Sequence, residues 1–262
     1  PATRRLHALQ LAAEAASLES RDARLAAGLR ERAAALAALP APALPPGLTA
    51  TLRPYQHEGY HFLAHLAAQG FGGVLADDMG LGKTVQALAW LLHLVAERAT
   101  GAPAPFRALV VCPKSVTHGW LTETARFAPT LAATAFTPGL AGGPAPPKEF
   151  QLFVVNYTQL RLHAAWFQQH AWDAIVLDEG QFIKNPTSQV AAVARALPGR
   201  HRLVLTGTPI ENRLTDLWSI FAFAQPGLLG TQAAFRRQYP EDDPAAHARL
   251  HRRVHHFLLR RT

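Results

Sequence analysis

The chain has 262 residues, with 26 Lys and Arg against 18 Asp and Glu, a formal net charge of +8, and 49% hydrophobic content. That is enough apolar material for one large core. The basic balance favours polyanionic partners, nucleic acid above all. One cysteine, Cys112, excludes an internal disulfide, and no uncharged apolar run approaches the roughly eighteen residues of a membrane-spanning helix. The chain starts at Pro1 rather than Met, with Arg and Glu scattered through its Ala/Leu-rich opening. A fragment without a secretion signal is the expectation.

In chain order, residues 1–39 predict helix, because Ala, Leu, Arg and Glu dominate and no proline follows Pro1. Residues 40–47, Pro-Ala-Pro-Ala-Leu-Pro-Pro-Gly, predict a stiff linker and a domain boundary. Beyond it, helical patterns alternate with short apolar strands at 72–76, 107–112, 151–156, 173–178 and 201–206. This alternation predicts an α/β fold with a parallel, doubly wound sheet. Residues 138–149 predict a loop. After 214 the pattern is helical, with turns at Pro226-Gly227 and across Pro240–Pro244.

The chemistry lies at the ends of the predicted strands. Asp77-Asp78-Met79-Gly80-Leu81-Gly82-Lys83-Thr84 follows an apolar run and precedes a helix. A strand, a glycine turn ending in Gly-Lys-Thr and a helix is the layout of a phosphate-binding loop. Lys83 is placed for β and γ phosphates, and the Thr84 hydroxyl for Mg²⁺. The general pattern has Gly six residues before the Lys, where this chain has Asp77. Downstream, Ala174-Ile175-Val176-Leu177 leads into Asp178-Glu179. Asp178 suits Mg²⁺, and Glu179 suits orienting or deprotonating the attacking water. Leu203-Val204-Leu205 leads into Thr206-Gly207-Thr208-Pro209, hydroxyls placed to sense a γ-phosphate. Upstream, Leu52-Arg53-Pro54-Tyr55-Gln56 opens a helix, and Gln56 carries the paired donor and acceptor an adenine edge needs.

These strings, in this order, resemble the SWI/SNF-like DNA translocases of helicase superfamily two. LRPYQ at 52–56 resembles the family's adenine-reading segment, and ADDMGLGKT at 76–84 its motif I, where Asp77 is usual. LVVCPKSVTHGW at 109–120 resembles motif Ia, VVNYTQL at 154–160 motif Ib, and LDEGQFIKN at 177–185 motif II. LTGTPIEN at 205–212 resembles motif III, and HFLLRRT at 256–262 the segment closing the first motor lobe. The resemblance implies a RecA-like P-loop lobe over 48–262, with helices on both faces of a mainly parallel sheet, following a helical segment and linker over 1–47. It implies ATP held by Gln56, Met79, Gly80, Leu81, Gly82, Lys83 and Thr84, with Mg²⁺ on Thr84 and Asp178.

Lys83, Asp178, Glu179 and Gln181 would carry catalysis, and Thr206, Gly207 and Thr208 would couple it to lobe motion. Pro113, Lys114, Ser115, Asn156, Tyr157, Lys184 and Asn185 would grip the phosphates of double-stranded DNA. The family's second lobe, with its arginine finger, has no counterpart in these residues, so the isolated chain is expected to be nearly inactive. The Ala-, Pro- and Arg-rich composition suggests a bacterial source, and the expected protein is a monomeric motor, cytoplasmic and nucleoid-associated.

A strand-separating helicase shares this chemistry. A rival from another class is His57-Glu58-Gly59-Tyr60-His61, which matches the H-E-x-x-H zinc protease pattern. Gly59 weakens the helix such ligands need. Arg249, Arg252, Arg253, Arg260 and Arg261 read as a basic stripe for DNA, a partner domain or water.

Overall fold

The computed structural model describes residues 41–98, 104–143, 146–207 and 213–261. The predicted helix over 1–39 lies outside the described residues. The strands are β1 (Gly73–Leu75), β2 (Ala108–Cys112), β3 (Ala133–Ala135), β4 (Leu152–Asn156), β5 (Trp172–Leu177), β6 (Gly199–Leu205) and β7 (Leu258–Leu259). The helices are α1 (Pro54–Ala68), α2 (Lys83–Ala96), α3 (Thr117–Phe127), α4 (Tyr157–Leu162), α5 (Ala164–Gln169), α6 (Gln189–Ala196), α7 (Leu214–Ala224), α8 (Gln232–Gln238) and α9 (Pro244–Val254).

One seven-stranded sheet runs in the order β3-β4-β2-β5-β6-β1-β7. Every pairing in it is parallel. The five strands expected from sequence are all present. β3 and β7, three and two residues long, extend the edges. β2 is apolar and buried at every position, as are Ala174–Leu177 of β5 and Leu203–Leu205 of β6, because both faces of the sheet are covered there. Val111, Val155, Leu177 and Val204 belong to the core on one side, with α5, α6 and α7. Val110, Val154, Val176 and Leu205 belong to the core on the other, with α1, α2 and α3. Among the described residues no helix is long and apolar enough to cross a membrane.

The order of strands positions the site. β5, β6 and β1 are neighbours, so the turns after them, carrying Asp178, Thr206 and Asp77, meet at one carboxyl edge. β4 and β2 continue that edge and carry Asn156 and Pro113.

Cys112, at the end of β2, is fully buried. Burial pushes its thiol up to about 11, against a weak pull from the Thr117 hydroxyl, and Asp178 raises it further. The thiolate is the reactive form. Native protein near neutral pH should therefore resist iodoacetamide, whereas the denatured chain should take up one equivalent, as intact mass will show.

Candidate active site

The glycine loop is built for a tight anion cradle. Gly80 and Gly82 adopt φ of 84° and 72°, the left-handed region that favours glycine. Gly82 also lies so close to Gln56 that a Cβ there would sit 2.4 Å from Nε2. α2 then starts at Lys83, which points its N-terminal N–H groups and positive partial charge at the loop. Lys83 Nζ donates to the carbonyls of Asp77 (2.7 Å) and Asp78 (3.1 Å). Both are hydrogen bonds that phosphate oxygens can replace. Met79 is 70% exposed at the loop's tip.

Gln56 turns inward. Its Oε1 accepts from Arg53 N–H (2.9 Å), completing a capping box at the start of α1, and its Nε2 donates to the Leu81 carbonyl (3.2 Å). The amide expected to read adenine therefore also ties the adenine segment to the phosphate loop. One N–H and one lone pair remain for a base.

Asp77 is fully buried. Its carboxylate is paired with the guanidinium of Arg261, whose Nε donates to Oδ1 at 2.9 Å and whose Nη2 reaches Oδ2. Arg261 therefore leaves the surface stripe. Asp77 occupies the glycine position of the general pattern because it anchors this cation. Gly59 is explained by the same cluster: a Cβ there would lie 1.8 Å from Gln86 Oε1 and 2.8 Å from Arg261 Nη2.

Asp178 is held from three sides. The Trp120 indole N–H donates to Oδ2 (2.8 Å), the Glu179 N–H to Oδ1 (3.0 Å), and the Tyr157 hydroxyl to the backbone carbonyl (2.7 Å). Burial raises the Asp178 carboxyl above the usual carboxylate range, and Glu179 adds to this; Trp120, the Glu179 N–H and Lys83 oppose it. One turn beyond Trp120 on α3, Glu123 is also raised, chiefly by burial. The neighbouring Thr84 hydroxyl pulls it back down, and the charge of Asp178 adds to the rise. α3 thus brings one residue to each expected Mg²⁺ ligand. Sequence reasoning missed both, although Trp and Glu three apart share a helix face.

Glu179 is the single non-glycine residue with positive φ among those described, at 54°. Its Oε2 accepts from Gln181 Nε2 (2.8 Å), and Gln181 Oε1 accepts from the Thr206 hydroxyl (3.2 Å). Gly207 closes against the loop: a Cβ there would lie 3.0 Å from Met79 Cγ and 3.5 Å from Lys83 Nζ. The turns after β5 and β6 are thereby joined through side chains, and Gly207 after β6 lies against the loop after β1. Thr208 lies outside the described residues.

The expected DNA-gripping residues divide in two. Lys114, Ser115, Lys184 and Asn185 are exposed, and Pro113 is half-buried beside them. Asn156 caps α4, accepting from Gln159 N–H (3.0 Å), and Asn185 organises its own turn through Thr187 (2.8 and 3.1 Å). Tyr157 is the correction. Its side chain is buried, its ring stacks on Phe182 (4.7 Å, 4°), and its hydroxyl is used on Asp178. It braces the turn that carries Asp178 instead of presenting its side chain to a phosphate.

The zinc pattern gains no further ligand. The rings of His57 and His61 lie 6.1 Å apart, and the described residues hold no group of three or more His, Cys, Asp or Glu placed to bind a metal.

Comparison with known proteins agrees with this geometry. YwqA of Bacillus subtilis, named as an ATP-dependent helicase/translocase, is 37% identical over 238 residues, covering 86% of this chain and 25% of that protein. The TATA-binding protein-associated factor MOT1 of Saccharomyces cerevisiae is 34% identical, covering 83% of this chain and 13% of its own length. The Sulfolobus solfataricus SWI2/SNF2 ATPase core in complex with dsDNA superposes with a TM-score of 0.77 at 34% identity, over 86% of this chain and 47% of that one. The chain thus spans a quarter or less of these two curated relatives. The SNF2-related domain matches residues 55–262, and the chain belongs to that family.

Proposed function

We propose that this chain is the ATP-binding first motor lobe of a SWI/SNF-type translocase on double-stranded DNA, converting ATP to ADP and phosphate. The observation that carries the reading is the convergence at one sheet edge of the glycine loop, the Asp178–Glu179 pair and the Thr206–Gln181–Glu179 hydrogen-bond chain.

The donors present suit a magnesium nucleotide. Gly80 and Gly82 open the cradle, and the hydrogen bonds of Lys83 among the described residues go to carbonyls that phosphate can displace. One carboxylate and one hydroxyl, with the rest of the shell from phosphate and water, is the usual provision for Mg²⁺. Thr84 and Asp178 would hold it, and it would supply positive charge to offset the negative charge developing on the phosphate oxygens. Lys83 adds positive charge on the phosphate oxygens. Glu179 orients the attacking water and accepts its proton as the bond from the γ phosphorus to the β–γ bridging oxygen breaks. Gln181 bonds to both Glu179 and Thr206, so a change at the γ position reaches the turn after β6. Lys114, Ser115, Lys184 and Asn185 are exposed along the same edge and would take DNA phosphates without sequence preference. The dsDNA complex of the similar Sulfolobus core supports duplex DNA as partner.

This reading assigns the arginine finger to a second lobe and makes the protein a monomeric, cytoplasmic motor on the bacterial nucleoid. Residues 1–262 alone should then hydrolyse ATP at least about 10³-fold more slowly than the two-lobed protein. Duplex DNA should stimulate the latter. Rapid DNA-stimulated turnover by residues 1–262 alone, or two-lobed turnover indifferent to DNA, overturns the reading. ATP-dependent strand separation favours the helicase alternative.

A further inference from the structure

Arg261 has no part in the chemistry above, yet it is bound on every side. Its side chain is 17% exposed. Nε and Nη2 fork onto Asp77, Nη2 also donates to Gln86 Oε1 (2.8 Å), Nη1 donates to the Tyr55 carbonyl, and the guanidinium lies 5.5 Å from the Tyr55 ring centre. The backbone follows the same course: Ala76 N–H donates to Leu259 O (2.7 Å) and Asp78 N–H to Arg261 O (3.1 Å).

Each partner is one step from a group expected to touch nucleotide. Asp77 offers its carbonyl to Lys83 Nζ (2.7 Å). Gln86 donates to the Gly82 carbonyl (3.2 Å), and Tyr55 precedes Gln56, which donates to the Leu81 carbonyl (3.2 Å). A loop with two left-handed glycines has many alternative conformations, and ordering it at the moment of binding lowers affinity. A planar cation with a rigid fork can fix three separate segments at once; an ammonium cannot.

We propose that Arg261 is a positioning residue of the nucleotide site. It pins the adenine segment, the phosphate loop and the first turn of α2 in their binding arrangement, so that placement of the 258–261 segment sets nucleotide affinity. By linkage, bound nucleotide must hold that segment more firmly in return. The inference rests on the nucleotide-site reading above.

The test uses the 262-residue chain, with Mg-ADP as probe and amide hydrogen exchange as an independent readout. Arg261→Lys keeps the charge and loses the fork. It should weaken Mg-ADP about tenfold and speed exchange at the 78–82 amides without nucleotide. Mg-ADP should slow exchange at 258–261 in the parent chain. Because a single neutralisation strands a buried carboxylate, Asp77→Asn/Arg261→Gln removes both charges together. This pair should melt near the parent temperature and still bind weakly. Recovery of affinity together with stability would make Arg261 a purely structural brace and overturn the proposal. If the parent chain binds no Mg-ADP, the nucleotide reading fails. Exchange at 78–82 in Arg261→Lys then decides the proposal by itself, and unchanged exchange overturns it.

Discussion

Glu179→Gln should lower ATP turnover by roughly 10²- to 10⁴-fold while Mg-ATP affinity stays within about a factor of two, because the change removes a proton acceptor and little else. The amide has nearly the carboxylate's shape, and its oxygen can still accept from Gln181, which donates to Glu179 Oε2 at 2.8 Å. The backbone is the other half of the argument. A φ of 54° at a glutamate costs on the order of 1–3 kcal/mol. It persists where neighbours fix it, and here the Glu179 N–H is held by Asp178 Oδ1 (3.0 Å) and its carbonyl by Phe182 N–H (3.0 Å). Gln leaves both bonds intact. Steady-state hydrolysis by the two-lobed protein, with equilibrium nucleotide binding measured in parallel, separates the two effects. Equal losses in turnover and affinity would instead make Glu179 a binding residue.

Much of this arrangement was legible in the sequence, for identifiable reasons. Parallel strand segments buried on both faces are continuous apolar runs, so β2, Leu152–Val155 of β4, Ala174–Leu177 of β5 and Leu203–Leu205 of β6 stand out. Each is followed by residues too polar or too small to continue it, and those residues are the site. Edge strands give no such signal. β3 is three half-buried residues and β7 two, fixed by their neighbours rather than by their own composition.

The Arg261–Asp77 pair was illegible for another reason. Its members lie 184 residues apart, and an arginine among arginines reads as surface until the fold brings it under the loop. Tyr157 shows the limit of motif reading in the other direction. Its place beside Asn156 was correctly located at a strand end. Whether its ring faced outward depended on Phe182, which reaches it from the turn after β5. Gly59 was read as a weakness in a zinc-binding helix and is instead the space that Gln86 and Arg261 fill.

Trp120→Phe should raise the Mg²⁺ concentration needed for half-maximal nucleotide binding or turnover by about 10- to 100-fold, the usual cost of losing a hydrogen bond behind a metal ligand. The benzene ring still fills most of a site where Trp120 is 2% exposed, so the packing loss is small beside the loss of the indole N–H. That N–H is the first of the interactions pulling the Asp178 carboxyl down against burial. Without it the carboxyl holds its proton to higher pH, and Mg²⁺ must compete with that proton. The sign follows: the defect should be greatest at low pH and shrink as pH rises through the elevated Asp178 titration. A defect independent of pH would point to displacement of α3, carrying Glu123 away from Thr84, as its cause. An unchanged Mg²⁺ requirement would leave Trp120 as core packing alone, with Asp178 oriented by the Glu179 N–H and by the Tyr157 hydroxyl on its carbonyl.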